Sequence, residues 1–164
     1  MPGENIRVGL GLAAILLVAD QMTKMAVLNL FLGNPHVMPV TPFFNLVLVW
    51  NSGVSFGMLA GSGEVRMLVL IGFALAVALG LAVWLARTGS NWVVMSLGLI
   101  IGGAVGNVID RLRFGAVIDF LQFYWRDWYF PAFNLADSAI TLGVVGLLLQ
   151  SLIEKPRTAR VRNR

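Results

Sequence analysis

The chain has 164 residues, of which 58% are hydrophobic and only 12% are charged. Soluble domains carry about a quarter charged residues, and so short a chain has too little interior to hide this much apolar surface. The composition therefore excludes an ordinary water-soluble domain and favours an integral membrane protein. The absence of cysteine excludes disulfides and thiolate sites, and the single histidine, His36, excludes any site that needs two imidazoles.

Four apolar segments are long enough to cross a bilayer, which takes about 20 residues. The first is uncharged only up to Ala19, so it must continue past Asp20 and Lys24 to span. A cleaved signal peptide is the alternative for this segment, but no A-x-A site precedes Asp20, which favours an uncleaved helix. We expect a single integral membrane domain, 1–164, with spans at residues 8–30, 67–86, 90–109 and 134–153.

The distribution of Lys and Arg predicts the orientation of these spans. Arg7, Arg87 and the basic tail, residues 154–164, fall on one side of a four-span layout. The positive-inside rule then places both termini in the cytoplasm and the longer loops, 31–66 and 110–133, outside. A basic tail beside a span is typical of contact with anionic lipid, so no nucleic-acid partner is expected.

The outer loops do not have the composition of solvent-exposed loops. Residues 43–50 are β-branched and aromatic and are followed by Asn51, Ser52 and Gly53, which predicts one or two short strands. Residues 120–133 are dense in aromatic side chains, as is typical of the membrane–water interface. The polar chemistry of the protein is therefore expected at the outer leaflet.

Polar side chains also occur towards the outer ends of two predicted spans. Asp20 and Lys24 are four residues apart on one helical face, the favourable order for an ion pair. A Ser–Lys nucleophile system would instead need a serine beside Lys24, and no residue pattern specifies one. Asn107, Asp110 and Arg111 form a compact cluster at the end of the third span, which a helix end reaching water would also explain.

Asp119 and Asp137 are the leading candidates for catalysis. Asp119 interrupts an otherwise apolar run, whereas Asp137 follows Asn134 by three residues, which predicts a helix-capping box. The functional alternative is an aspartic dyad, because two carboxylates held close in a low-dielectric site share one proton. One of them can then take a proton from water while the other donates to the scissile carbonyl or the leaving amine.

Other patterns carry less functional information. Gly98, Gly102 and Gly106 share one helical face and predict close helix packing. The G-x-S-x-G pattern at Gly53–Gly57 is not a nucleophile elbow, because no histidine follows it and the chain lacks an α/β pattern.

An ion transporter and a packing subunit remain as alternative functions. A transporter needs acidic groups spread through the membrane depth, whereas in a packing subunit both aspartates would be replaceable by Asn.

Five ordered motifs between Asp20 and Ser138 closely resemble those of bacterial lipoprotein signal peptidase, the signal peptidase II family. The motifs are Asp20–Lys24, Asn51–Gly57, Gly102–Arg111, Val117–Phe120 and Phe133–Ser138. Two positions depart from the family pattern. Thr23 stands where Ser is frequent, and Ser55 stands where Ala is usual; neither touches the candidate dyad.

The resemblance implies an intramembrane aspartic endopeptidase of the bacterial inner membrane. Such enzymes remove the signal peptide of prolipoproteins on the N-terminal side of a diacylglyceryl-modified cysteine, and the cyclic peptide globomycin inhibits them. The implied catalytic residues are Asp119 and Asp137. The implied supporting and substrate-binding residues are Asn51, Asn107, Asp110, Arg111, Asn134, Asp20 and Lys24.

The resemblance also implies an architecture and a set of partners. The expected fold is a membrane all-α, four-transmembrane-helix bundle with a small extracytoplasmic β-sheet cradle and a short periplasmic helix or lid loop. Membrane lipid and the lipidated prolipoprotein are the expected partners. The mechanism requires no metal and no organic cofactor, and we expect a monomer.

Overall fold

The computed structural model describes residues 2–33, 35–53 and 63–153. The described residues form four helices, each long and apolar enough to cross a membrane, and a small antiparallel sheet, which confirms the expected fold class. In chain order the elements are α1 (Pro2–Leu30), β1 (Val37–Thr41), β2 (Phe44–Asn51), α2 (Gly63–Leu85), α3 (Asn91–Phe114), β3 (Val117–Trp125), β4 (Trp128–Tyr129) and α4 (Leu135–Ile153). Ser55 and the basic tail, residues 154–164, lie outside the described residues.

α3 is the central helix of the bundle. In its most apolar stretch 72% of the residues are buried, against 22% for α1 and 17% for α2 and α4, whose other faces are left to lipid. The glycine face predicted from the sequence packs against α1. A Cβ on Gly98 would come within 2.7 Å of the carbonyl oxygen of Gly9, and one on Gly102 within 2.7 Å of that of Ala13. The packing role of this face is thereby confirmed.

α3 extends farther towards the sheet than its predicted span. It ends at Phe114, where Gly115 has a φ of 75° and donates its N–H to the carbonyl of Arg111. This left-handed residue terminates the helix because L-amino acids with side chains rarely adopt that conformation. The second outer segment therefore begins at Gly115, and both Asp110 and Arg111 belong to the last turns of α3.

The sheet has the strand order β1-β2-β3-β4 and lies at the end of the bundle where α1 and α3 finish. The predicted strand region 43–50 is confirmed as β2, which pairs with β3 so that Val49 lies opposite Asp119. Val27 of α1 packs with Phe120 of β3 in a buried cluster, which also contains Phe31 from the turn after α1. That contact seats β3, and Asp119 with it, on the helices.

The implied helical lid is not found in the described outer segments. Residues 31–33, 35–53 and 115–134 form strands, turns and extended chain. Residues 54–62, the rest of the first outer loop, lie outside the described residues.

Gly106 allows the carboxylate of Asp20 to lie close to the backbone of α3, and its replacement is expected to be destabilising. A Cβ at this position would lie 2.7 Å from Oδ2 of Asp20. Gly106→Ala should lower the free energy of unfolding by about 1–3 kcal/mol, the usual effect of overpacking. Gly80→Ala is the matched control, because nothing lies within 4 Å of its Cβ position. Thermal unfolding in detergent measures both; equal stability of the two variants would contradict this packing.

Candidate active site

Asp119 and Asp137 approach each other from different elements. Asp119 is the third residue of β3 and is buried, with only 1% of its surface exposed. Asp137 lies in the first turn of α4 and is half-buried. The two carboxylates are joined through the side-chain amides of Asn134 and Asn107, so the structure brings together the two residues proposed as a dyad.

Asn134 links the start of α4 to Asp119. Its Oδ1 accepts the N–H of Asp137 at 2.9 Å, and its own N–H donates to Oδ2 of Asp137 at 3.2 Å, which confirms the predicted capping box. Its Nδ2 donates to Oδ1 of Asp119 at 2.7 Å and to the carbonyl of Ile118 at 3.2 Å. One buried amide therefore caps the helix and holds the first catalytic candidate.

Asn107 completes the link on the side of Asp137. Its Nδ2 donates to Oδ1 of Asp137 at 2.8 Å, while its Oδ1 accepts from Nδ2 of Asn134 at 3.3 Å. Each oxygen of Asp137 therefore accepts one N–H. Because Asn107 and Asn134 contact each other as well, an unbroken chain of hydrogen bonds links the two carboxylates.

Asn51 holds the remaining oxygen of Asp119. As the last residue of β2, it donates Nδ2 to Oδ2 of Asp119 at 2.9 Å. Its Oδ1 accepts the N–H of Gly53 at 2.8 Å, in a turn where Gly53 has a φ of 78°. The turn after β2 therefore fixes the amide that contacts Asp119.

A buried ion triad lies directly beneath this amide network. The ammonium of Lys24 contacts Oδ2 of Asp20 at 2.7 Å and Oδ2 of Asp110 at 2.7 Å. It also donates to Oδ1 of Asn107 at 3.2 Å. Within the described residues these three side chains are the partners of Lys24, so no described serine contacts it as the Ser–Lys alternative would need.

The two carboxylates of the triad also anchor the elements that carry the dyad. Oδ1 of Asp20 accepts the N–H of Ala136 in the first turn of α4 at 3.0 Å. Oδ2 of Asp110 accepts the N–H of Ile118, which precedes Asp119 on β3, at 3.2 Å. Hydrogen bonds to charged groups are stronger than neutral ones, so α1 and α3 fix both elements firmly.

Burial is the main influence on the protonation of Asp119. It raises the pKa of this carboxyl from 3.8 to about 6, since desolvation disfavours the charged form. The hydrogen bond from Asn51 lowers the pKa, and the negative charge of Asp137 raises it. A carboxyl in this range holds a proton far more readily than an exposed aspartate does.

The chain shares its sequence and its fold with known proteins. A family model described as signal peptidase (SPase) II matches residues 12–153. This chain belongs to the signal peptidase II family. It is 46% identical over 158 residues to a lipoprotein signal peptidase of Rhodopseudomonas palustris strain TIE-1, covering 92% of this chain and 95% of the relative. It is also 46% identical over 153 residues to a lipoprotein signal peptidase of Burkholderia pseudomallei strain 668, with 92% and 90% covered.

The fold likeness extends over the same length as the sequence likeness. The structure of a bacterial membrane enzyme determined by the in meso method at 1.9 Å resolution superposes with a TM-score of 0.76 at 26% identity. The match covers 90% of this chain and 94% of that one. As a signal peptidase II the chain is a multi-pass membrane peptidase of the aspartic type.

Two further polar side chains of this peptidase, Arg111 and Gln21, lie at the edge of the site. Arg111, a predicted supporting residue, donates from its guanidinium to the carbonyl of Asn107 at 3.3 Å, and its positive charge interacts with Asp137, Asp110 and Asp119. Gln21 was missed: its Nε2 donates to Oδ1 of Asp110 at 2.9 Å, linking α1 to α3. The signal for Gln21 was its place in the first family motif, beside Asp20.

An apolar groove opens beside Asp137 of this signal peptidase II. It has a volume of about 410 Å³, and Asp137 contributes the carboxylate among its walls. The lining residues are Phe130, Phe133, Asp137, Ser138, Thr141 and Leu142. An extended, mostly apolar ligand lying in the groove would therefore reach the carboxylate of Asp137, at the edge of the amide network.

Proposed function

We propose that this signal peptidase II cleaves the signal peptide from diacylglyceryl-modified prolipoproteins, on the N-terminal side of the lipidated cysteine, with water activated by Asp119 and Asp137. Family membership supports the substrate class and the cleavage reaction. The single observation that supports the dyad is the buried amide network of Asn107 and Asn134, which joins the two carboxylates.

In the proposed mechanism one of the two carboxyl groups is protonated and the other is ionised. Asp119, whose pKa is raised by burial, holds the shared proton, and Asp137, which accepts two N–H groups, is the carboxylate. Asp137 takes a proton from water as the water oxygen attacks the scissile carbonyl carbon, while Asp119 donates its proton to the carbonyl oxygen. As the tetrahedral intermediate collapses, Asp119 takes a proton back from one of its two hydroxyls, the C–N bond breaks, and the amine leaves with the proton that Asp137 returns.

The position of the site in the fold suits a substrate that stays in the bilayer. The dyad lies at the sheet end of the helices, and the tip of the sheet exposes Trp125, Trp128 and Tyr129. Exposed Trp and Tyr side chains favour the membrane–water interface. We place this end at the periplasmic leaflet of the bacterial inner membrane and both termini in the cytoplasm.

The groove beside Asp137 suits the proposed substrate. The lipidated prolipoprotein supplies an apolar signal helix and acyl chains, which the groove beside Asp137 and the surrounding lipid can accommodate. A globomycin-type inhibitor would compete for the same site. The proposed reaction uses side-chain carboxylates and water alone, and we propose that the monomer is the active form.

Activity should fall on the alkaline side of an apparent pKa near 6 in the free protein. Below this value Asp119 is protonated and the dyad carries one proton; above it the dyad loses that proton and can no longer donate. We expect kcat/KM, measured with a substrate that does not titrate, to fall about tenfold per pH unit above the apparent pKa.

Asn51→Ala provides a second test of this assignment. The variant removes the hydrogen bond that lowers the pKa of Asp119, so the alkaline limb of kcat/KM should move to higher pH. A limb that stays in place or moves to lower pH would contradict the assignment of the shared proton to Asp119.

Cleavage of a defined substrate tests the proposed function as a whole. Purified protein in detergent is incubated with a prolipoprotein that carries diacylglyceryl on its cysteine, and in parallel with the unmodified precursor. Mass spectrometry should find a single cut directly before the lipidated cysteine, and globomycin should block it. Cleavage elsewhere, or equal cleavage of the unmodified precursor, would contradict the proposed substrate.

A further inference from the structure

Lys24 is buried with all three N–H groups of its ammonium used. Only 1% of the residue is exposed, and its acceptors are Asp20, Asp110 and Oδ1 of Asn107. The first contact is an ion pair within α1, and the second is an ion pair that joins α1 to α3. The third contact balances no charge, because Asn107 is neutral, and it therefore calls for a separate explanation.

The contact with Asn107 selects one of two orientations of its side-chain amide. An amide can rotate by half a turn and exchange its oxygen and nitrogen positions, but an ammonium only donates and accepts nothing. Lys24, together with Nδ2 of Asn134 at 3.3 Å, therefore keeps the oxygen of Asn107 on the inner side. The nitrogen is left facing Oδ1 of Asp137 at 2.8 Å.

We propose that Lys24 is a positioning residue for the cleavage reaction: its ammonium holds the amide of Asn107 so that Asn107 donates to Asp137. In the opposite orientation the oxygen of Asn107 would face the carboxylate of Asp137, and the two would repel. Asp137 would then move away from the position in which it receives the proton of water. This inference rests on the proposed dyad.

A purely structural role for Lys24 is the competing explanation, and a single substitution does not separate the two. Lys24→Met leaves two buried carboxylates without a cation, which typically lowers stability strongly and would abolish activity for either reason. A compensated variant is therefore needed. Asp20→Asn/Lys24→Met removes one negative and one positive charge together, so the net charge of the triad region stays the same.

The compensated variant keeps two hydrogen bonds around the triad. The oxygen of an Asn at position 20 can still accept the N–H of Ala136, and Nε2 of Gln21 still donates to Asp110. The Met side chain preserves most of the buried volume of Lys24. What the variant does not restore is the ammonium donor to Oδ1 of Asn107, which is left with only the longer hydrogen bond from Asn134 among the described residues.

The test compares thermal unfolding, kcat and KM of the wild type, Lys24→Met and Asp20→Asn/Lys24→Met in detergent with the lipidated prolipoprotein. We expect the double variant to recover the unfolding temperature that the single variant loses. Its kcat should remain about 10- to 100-fold below wild type at an unchanged KM, the usual effect of a misplaced catalytic group.

Two outcomes would overturn the inference. Recovery of kcat together with the unfolding temperature would give Lys24 a structural role only. Failure of the double variant to recover the unfolding temperature would show that Lys24 supports the fold in a way that charge balance and Asn107 do not explain. Asp137→Asn in the same assay separates these results from a failure of the dyad itself, because an active Asp137→Asn would refute the proposed mechanism whatever the Lys24 variants do.

Discussion

Asp119→Asn and Asp137→Asn will each abolish cleavage while the protein remains folded. An Asn side chain matches the shape of Asp but can neither take a proton from water nor donate one to a carbonyl oxygen. General acid–base groups contribute about 10²- to 10⁴-fold each, so kcat should fall by roughly 10³-fold in either variant. The steady-state rate with the lipidated prolipoprotein measures the effect.

Asp127→Asn is the matched control for these two variants. Asp127 is exposed in the turn between β3 and β4, on the same sheet as Asp119 but away from the amide network. It should keep the wild-type rate. If either dyad variant kept more than about a tenth of the wild-type rate at normal thermal stability, that carboxyl would not be a catalytic acid or base.

Asn134→Ala is expected to reduce both activity and stability, because one side chain performs two tasks. The variant loses the cap of α4, which is worth about 1 kcal/mol, and leaves buried acceptors at Asp119 and Ile118 without their donor, at about 1–3 kcal/mol. With Oδ1 of Asp119 no longer held by Asn134, kcat should fall about 100-fold.

Asn134→Ser separates the two tasks. A serine at this position can still accept the N–H of Asp137 as an N-cap, but its side chain is too short to reach Asp119 or Asn107. We therefore expect about 1 kcal/mol of stability to return relative to Asn134→Ala, whereas kcat stays low. The measurements are kcat and thermal unfolding of both variants. A serine variant with near wild-type kcat would contradict this separation of capping from the contact with Asp119.

The membrane architecture was predictable from the sequence because hydropathy acts over whole segments. The first span was predicted to continue through Asp20 and Lys24, and α1 does so without a break. The capping box at Asn134 and Asp137 was also predictable, since its partners are only three residues apart. These are local features, and local features are encoded in neighbouring residues.

The pairings that assemble the site were not predictable in the same way. Asn51 reaches Asp119 across 68 residues of chain, and that contact depends on the register of β2 against β3, which shifts between Leu46 and Val49. β3 itself was not predicted as a strand, because a short apolar run does not distinguish a buried strand from other buried segments. The ion pair of Lys24 with Asp110 likewise depends on how α1 and α3 pack.

The placement of the charged groups also separates the transporter alternative from the peptidase. Asp20, Lys24, Asp110 and the dyad gather towards the sheet end of the bundle, where α4 and β3 begin. A proton or ion relay needs acidic groups spread through the membrane depth, and the described parts of the helices do not place them so. Membership of the signal peptidase II family agrees with this arrangement.

Direct attack by water is the central feature of the proposed mechanism, and a single-turnover experiment tests it most directly. Enzyme in excess is mixed with lipidated prolipoprotein in H₂¹⁸O, quenched during the first turnover, and the intact masses of protein and released signal peptide are measured. The dyad predicts an enzyme of unchanged mass at every time point and a signal peptide that carries one ¹⁸O. An enzyme whose mass rises by that of the signal peptide would reveal a side-chain nucleophile and contradict water activation by Asp119 and Asp137.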